Sequence, residues 1–123
     1  MAMEKQKQII KLLIHKTSKS EVDWKSTIKN NEFQVSFAKS GLRIVASEGE
    51  GDTTDYYIIL LNEDGSIVDS FSDVDLDTEN REQNIKPKWF PILKELFDSA
   101  RRTALGSEKI MDDILIELGD IPF

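Results

Sequence analysis

The sequence predicts an α+β fold: an N-terminal helix, a four-stranded antiparallel meander and two C-terminal helices packed on one sheet face. Three observations carry this reading. Apolar residues recur at helical spacing near both ends of the chain, they alternate with polar residues through the middle, and the connections between the alternating segments suit antiparallel neighbours rather than crossovers. At 123 residues the chain has room for one hydrophobic core, so residues 1–123 are expected to form a single domain.

The first helix is predicted over Glu4 to Thr17, where Ile9, Ile10, Leu12, Leu13 and Ile14 share one side and Glu4, Lys7, Gln8, Lys11 and His15 the other. Ser18 to Asn31 breaks that period. It reads as a connector pinned by Trp24 and Ile28, with Trp24 plugging an edge of the core. Phe33, Val35 and Phe37 then alternate with Glu32, Gln34 and Ser36, the period of a half-buried strand. Lys39-Ser40-Gly41 supplies a turn in which glycine can take positive φ, and Leu42, Ile44 and Ala46 resume the alternation.

Glu48 to Asp55 (EGEGDTTD) has no large apolar residue and is expected to be a solvated loop. Tyr56 to Leu61 is apolar on both faces, which suits a central strand. Asn62-Glu63-Asp64-Gly65 is a hairpin signal leading into a fourth strand with Ile67, Val68 and Phe71. After the acidic stretch Asp73 to Asn84, Lys86-Pro87 introduces a second helix whose face is Trp89, Phe90, Leu93, Leu96, Phe97, Ala100 and Ala104, with Pro91 tolerated in its first turn. Gly106 interrupts it. Ser107 is placed to cap a third helix, faced by Ile110, Met111, Ile114, Leu115 and Leu118 and ended by Gly119.

Charge is segregated along the chain. Within the net −7, residues 1–30 contribute +4, residues 31–85 contribute −10 and residues 86–123 contribute −1. An acidic middle repels phosphates, so nucleic acid is disfavoured as a partner. The basic first helix carries too few cations, and too few aromatics, to read as a phosphate or membrane surface. The N-terminal residues hold no uninterrupted apolar run of the roughly 7–15 that a secretory signal needs, nor the ~20 of a membrane span. A cytoplasmic location with no membrane partner is the expectation, and the absence of cysteine agrees with a reducing compartment.

Few residues form constellations that chemistry could use. Asp73, Asp75 and Asp77 have the alternate spacing that opens a calcium loop, yet in that register Thr78 stands where glycine is needed and Asn84 where a bidentate glutamate is needed. They are weak metal candidates and no metal or cofactor is expected. His15 is the single histidine, on a polar helix side, and cannot make a zinc centre with thiolates that do not exist. No nucleophile elbow and no phosphate-binding glycine loop occurs. The carboxylate pairs Glu48/Glu50 and Asp112/Asp113 lie in a loop and on a polar helix side, where nothing would raise a pKa for acid–base work. The balance leans away from catalysis, although a carboxylate- or metal-dependent enzyme stays open as an alternative.

The third helix is the more suggestive element, because two helices already cover about the width of four strands. Its stripe Ile110, Met111, Ile114, Leu115 and Leu118, followed by Ile121-Pro122-Phe123, either wraps onto the sheet edge or meets a protein partner, a second copy included. Just before it, Arg101 is expected to bury its stem at the core rim and pair with a carboxylate, while Arg102 faces solvent as an anchor for an acidic partner.

Leu96-Phe97-Asp98-Ser99-Ala100-Arg101-Arg102-Thr103-Ala104-Leu105-Gly106, followed by Met111-Asp112-Asp113-Ile114-Leu115, resembles the tail of a group of small uncharacterised bacterial proteins. The resemblance implies a bacterial or phage origin and a shared fold, and it carries no activity with it. The functional expectation is therefore a non-catalytic protein-interaction or regulatory module, with an immunity- or antitoxin-like acidic inhibitor as the alternative within binding proteins.

Overall fold

A computed structural model describes residues 3–48, 53–77 and 88–119. The elements run α1 (Glu4–Ser18), β1 (Lys25–Ser26), β2 (Glu32–Ser36), β3 (Gly41–Glu48), β4 (Thr54–Leu61), β5 (Ile67–Ser72), α2 (Asp73–Leu76), α3 (Trp89–Ala104) and α4 (Ser107–Leu118). The architecture is α+β. Its sheet has five strands rather than four, in the antiparallel order β1-β2-β3-β4-β5. The additional strand is the two-residue β1, which lies in the segment read as a connector and pairs Lys25 with Gln34 and Ser26 with Phe33. Nothing in its two exposed residues signals a strand, since only the pairing defines it.

Strand pairing sorts the side chains into two faces. Phe33 lies opposite Ile44, Val35 opposite Leu42, Ile44 opposite Ile58 and Ile58 opposite Phe71, so these buried residues share one face. α3 lies across that face in contact with β1 to β4, and α1 packs against α3. Leu93, Leu96 and Ala100 of α3 and Ile10 and Leu13 of α1 join the strand residues in one buried cluster. Rings knit the layers, with Phe97 5.4 Å from both Phe33 and Tyr56 between centroids.

The connector is tied down at several points, with Val22 and Trp24 buried in the core and Lys25 and Ser26 paired with β2. Trp24 plugs the core as expected, and its indole N–H donates to the Thr17 hydroxyl of α1 at 3.0 Å, with both residues buried. Ile28, expected as a second pin, is instead fully exposed at the tip between β1 and β2. Phe37 likewise falls just beyond β2, half exposed, where the alternation no longer has a sheet to follow. In α1, Leu12 turns outward because the buried stripe is narrower than the apolar run.

Gly41 and Ser107 act differently from expectation. Gly41 is the first residue of β3 rather than a positive-φ turn residue, and its missing Cβ admits Leu61, which a Cβ would meet at 3.3 Å. Gly106, with φ 68°, is the residue before α4, so the left-handed backbone there, not a Ser107 side chain, begins that helix. The 62–65 hairpin is as expected: Gly65 has φ 83°, and the Asn62 side-chain oxygen accepts from the N–H groups of Asp64 and Ser66 at 3.0 Å. Glu50, Thr78, Asn84, Lys86-Pro87 and Ile121-Pro122-Phe123, for which the sequence raised expectations, lie outside the described residues.

The largest departure concerns the C-terminal helices. α3 packs on the sheet with the expected face, whereas α4 does not, and none of its twelve residues is buried. The expectation of two helices packed on one sheet face therefore holds for α3 alone, α3 and α1 having already covered the apolar sheet face.

Candidate functional site

The three aspartates weighed as metal ligands each hold backbone instead. Asp73 is buried and its Oδ1 accepts the Tyr56 N–H at 3.0 Å, joining the start of α2 to β4. Burial pushes the Asp73 carboxyl up from its ordinary range, with the backbone hydrogen bonds opposing in part. Asp75 accepts the Ser72 N–H at 2.9 Å while the Ser72 hydroxyl accepts the Asp75 N–H at 3.2 Å, a reciprocal cap that folds a single helical turn out of the polar stretch. Asp77 accepts the N–H groups of Lys88 and Trp89 at 3.0 and 3.2 Å and so caps α3 from eleven and twelve residues away. Among the described residues, no group of three or more His, Cys, Asp or Glu side chains is gathered to hold a metal. His15 is exposed on α1.

A second place of interest is the edge of the sheet on the face away from α3. Glu32, read as a solvent-side residue of its strand, is only 5% exposed. It lies 3.9 Å from Arg43 Nε, and that same Nε–H donates to Gln34 Oε1 at 2.8 Å. Lys25, Lys29, Glu32, Gln34 and Arg43 line an open groove of about 510 Å³ under the β1–β2 loop. The sequence signal for this cluster is the register: Arg43 stands directly opposite Gln34 and diagonally from Glu32. Both partners of the arginine come from within the sheet, and the cluster closes on itself.

A third surface lies between α1 and the end of β2. Ile9, Leu12, Val35 and Phe37 line an apolar groove of about 450 Å³, with Lys16, Glu21 and Asp23 at its rim. Lys16 and Glu21 pair with each other there at 3.3 Å.

α4 presents a stripe of exposed apolar side chains. Ile110, Met111, Ile114, Leu115 and Leu118, the residues singled out for partner binding, are all exposed, and Leu115 reaches 66%. They fall at i, i+1, i+4, i+5 and i+8 along one helix side. Arg102 is exposed at the base of this stripe, as expected. Arg101 is exposed too, contrary to the expectation of a buried stem, because the buried side of α3 runs through Leu93, Leu96, Phe97 and Ala100 and turns past it. Neither arginine has an ion-pair partner among the described residues. Arg101, Arg102, Leu105, Ser107, Ile110 and Met111 together line a shallow groove of about 250 Å³ at the α3–α4 elbow.

No family model, curated protein or solved structure matches this chain. Among the described residues no helix is long and apolar enough to cross a membrane, so the apolar stripe of α4, in a helix of 12 residues, is a side surface and not a span.

Proposed function

We propose that this chain is a non-catalytic protein-interaction module whose recognition element is the uncovered face of α4, with Arg102 at its base. One observation carries the reading: a helix with five apolar side chains in a single stripe and no buried residue. Contiguous apolar patches approaching several hundred Å² are uncommon on surfaces that meet only water, and a helix face of this kind is the surface that protein partners cover. The acidic-inhibitor reading has weaker support, because Asp73, Asp75 and Asp77 direct carboxylate oxygens to backbone N–H groups rather than presenting them as a free anionic face.

The test is co-precipitation of the full chain from a bacterial lysate beside its Ile114→Glu/Leu115→Glu variant. Both positions are exposed, so the variant should keep the thermal midpoint of the parent. Loss of a specific partner from the variant alone supports the reading, whereas a partner retained equally by both places recognition elsewhere.

A further inference from the structure

α4 has little reason to be a helix by itself. Twelve residues are marginal for an isolated helix in water, and α4 takes its tertiary support chiefly from α3 near the elbow. Local support comes from the Lys109–Asp113 pair at 3.0 Å and from Gly119, whose φ of 75° suits the C-terminal end. An amphipathic helix of this length is ordinarily held by what packs on its apolar face.

We infer that a second copy of this chain packs there, the two α4 helices pairing antiparallel across a two-fold axis near Ile114. This rests on the reading of α4 as the recognition element and names its partner. Charge supplies the first argument. Arg101 and Arg102 line one groove with Ile110 and Met111 at the elbow, whereas Glu117 lies beyond Ile114; Glu108, Asp112 and Asp113 lie on the elbow side of Ile114, where Lys109 pairs with Asp113. An antiparallel pair centred on Ile114 sets Glu117 opposite Met111 of the partner subunit, toward that copy's arginine end, and opposes the two helix dipoles. A parallel pair would stack acid on acid. Such a patch is complementary to itself after a two-fold rotation, which is what a closed dimer requires.

Area supplies the second argument. Leu105, Ile110, Met111, Ile114, Leu115 and Leu118 are 48–66% exposed. Covering what they expose would bury about 600 Å² on each copy, or about 1,200 Å² in all, at the lower edge of the range for specific interfaces. The stripe is also centred on Ile114, so antiparallel pairing brings Ile110 beside Leu118 of the partner subunit.

The full chain tests this directly. Sedimentation equilibrium is expected to give a dimer mass at tens of micromolar and a monomer mass for Ile114→Glu, which should still unfold in one cooperative thermal transition, at a midpoint lowered by the lost association. Arg102→Glu is expected to weaken the dimer about five-fold, and high salt to weaken it in the same direction. Because the chain has no cysteine, single-cysteine variants report orientation cleanly. A mixture of Ile110→Cys and Leu118→Cys proteins should cross-link under mild oxidation, and Ile110→Cys alone should not. Cross-linking of Ile110→Cys with itself, a monomer at millimolar concentration, or a dimer untouched by Ile114→Glu would each overturn the inference. A monomeric wild type that still loses a heterologous partner on Ile114→Glu/Leu115→Glu would overturn self-pairing alone and leave the interaction reading standing.

Discussion

Replacing Asp77 with alanine should destabilise the fold through the start of α3, a helix that Asp77 caps from outside. Four backbone N–H groups at a helix N-terminus have no partner within the helix. Here those four positions are Lys88, Trp89, Phe90 and Pro91, and Lys88 offers no side-chain cap of its own. Proline has no N–H, and Asp77 accepts from Lys88 at 3.0 Å and from Trp89 at 3.2 Å, so that among the described residues Phe90 alone is left without either provision. Loss of an ordinary N-cap costs about 1 kcal/mol, and a hydrogen bond to a charged group contributes about 1.5–3 kcal/mol. Asp77 is half-buried and makes two such bonds, so Asp77→Ala should lose about 2 kcal/mol, which lowers a urea midpoint by about 1 M for a slope near 2 kcal/mol/M. Asp77→Asn keeps an acceptor oxygen and gives up the favourable charge at the positive end of the helix, so it should lose about half as much. Urea unfolding at neutral pH followed by far-UV circular dichroism measures all three proteins. An Asp77→Ala midpoint within about 0.2 M of wild type would refute the capping argument, and equal losses for the two variants would refute the part assigned to charge.

Two further perturbations report on groups inside the fold. Thr17→Val removes the acceptor of the buried Trp24 indole N–H and should cost about 1–3 kcal/mol; in a Trp24→Phe background the same change should cost far less, and equal costs in both backgrounds would show that the hydrogen bond is not the cause. Burial raises the Asp73 carboxyl above its unfolded value of 3.8, so the folded state holds more protons than the unfolded chain just above that pH, and stability should fall as pH rises through the folded value. Asp73→Asn, which can still accept the Tyr56 N–H through its side-chain oxygen, should gain stability relative to wild type as pH rises from 4 to 7 in denaturant melts; a difference independent of pH would contradict the shift.

The parts of the fold that were legible in the sequence are those where one periodicity decides the outcome. Leu93, Leu96, Phe97 and Ala100 repeat at helical spacing and are buried, and Leu42 and Ile44 alternate and are buried. What escaped depends on partners far along the chain. β1 exists only because Lys25 and Ser26 pair with β2, and Asp77 acts on a helix start eleven residues later. Glu32 has the polar identity of a solvent-side residue, yet Arg43 and the β1–β2 loop enclose it. α2 carried a local sign that could have been found, since Ser72 and Asp75 have the three-residue spacing of a reciprocal cap. For the candidate site, helical spacing showed that Ile110, Ile114 and Leu118 share a side, but not whether the sheet had room for that side.

That last question is one of geometry, and it bears on how α4 works. α3 makes the main crossing of the sheet and α1 leans on α3, so the apolar face is covered before the chain reaches Gly106. The left-handed backbone at Gly106 then starts a new helix direction. An added helix in that position has two ways to stay ordered: a high intrinsic helix preference or a partner on its apolar side. α4 contains Ile110, Ile114 and Ile116, whose β-branched side chains lower intrinsic preference relative to alanine or leucine. Its apolar stripe is therefore better suited to packing than to isolated helicity. Helix content and association should consequently be coupled: ellipticity at 222 nm should rise with protein concentration in wild type and stay flat in Ile114→Glu. Concentration-independent ellipticity in both would mean that α4 is held by its own chain, and the argument from marginal helicity would fail.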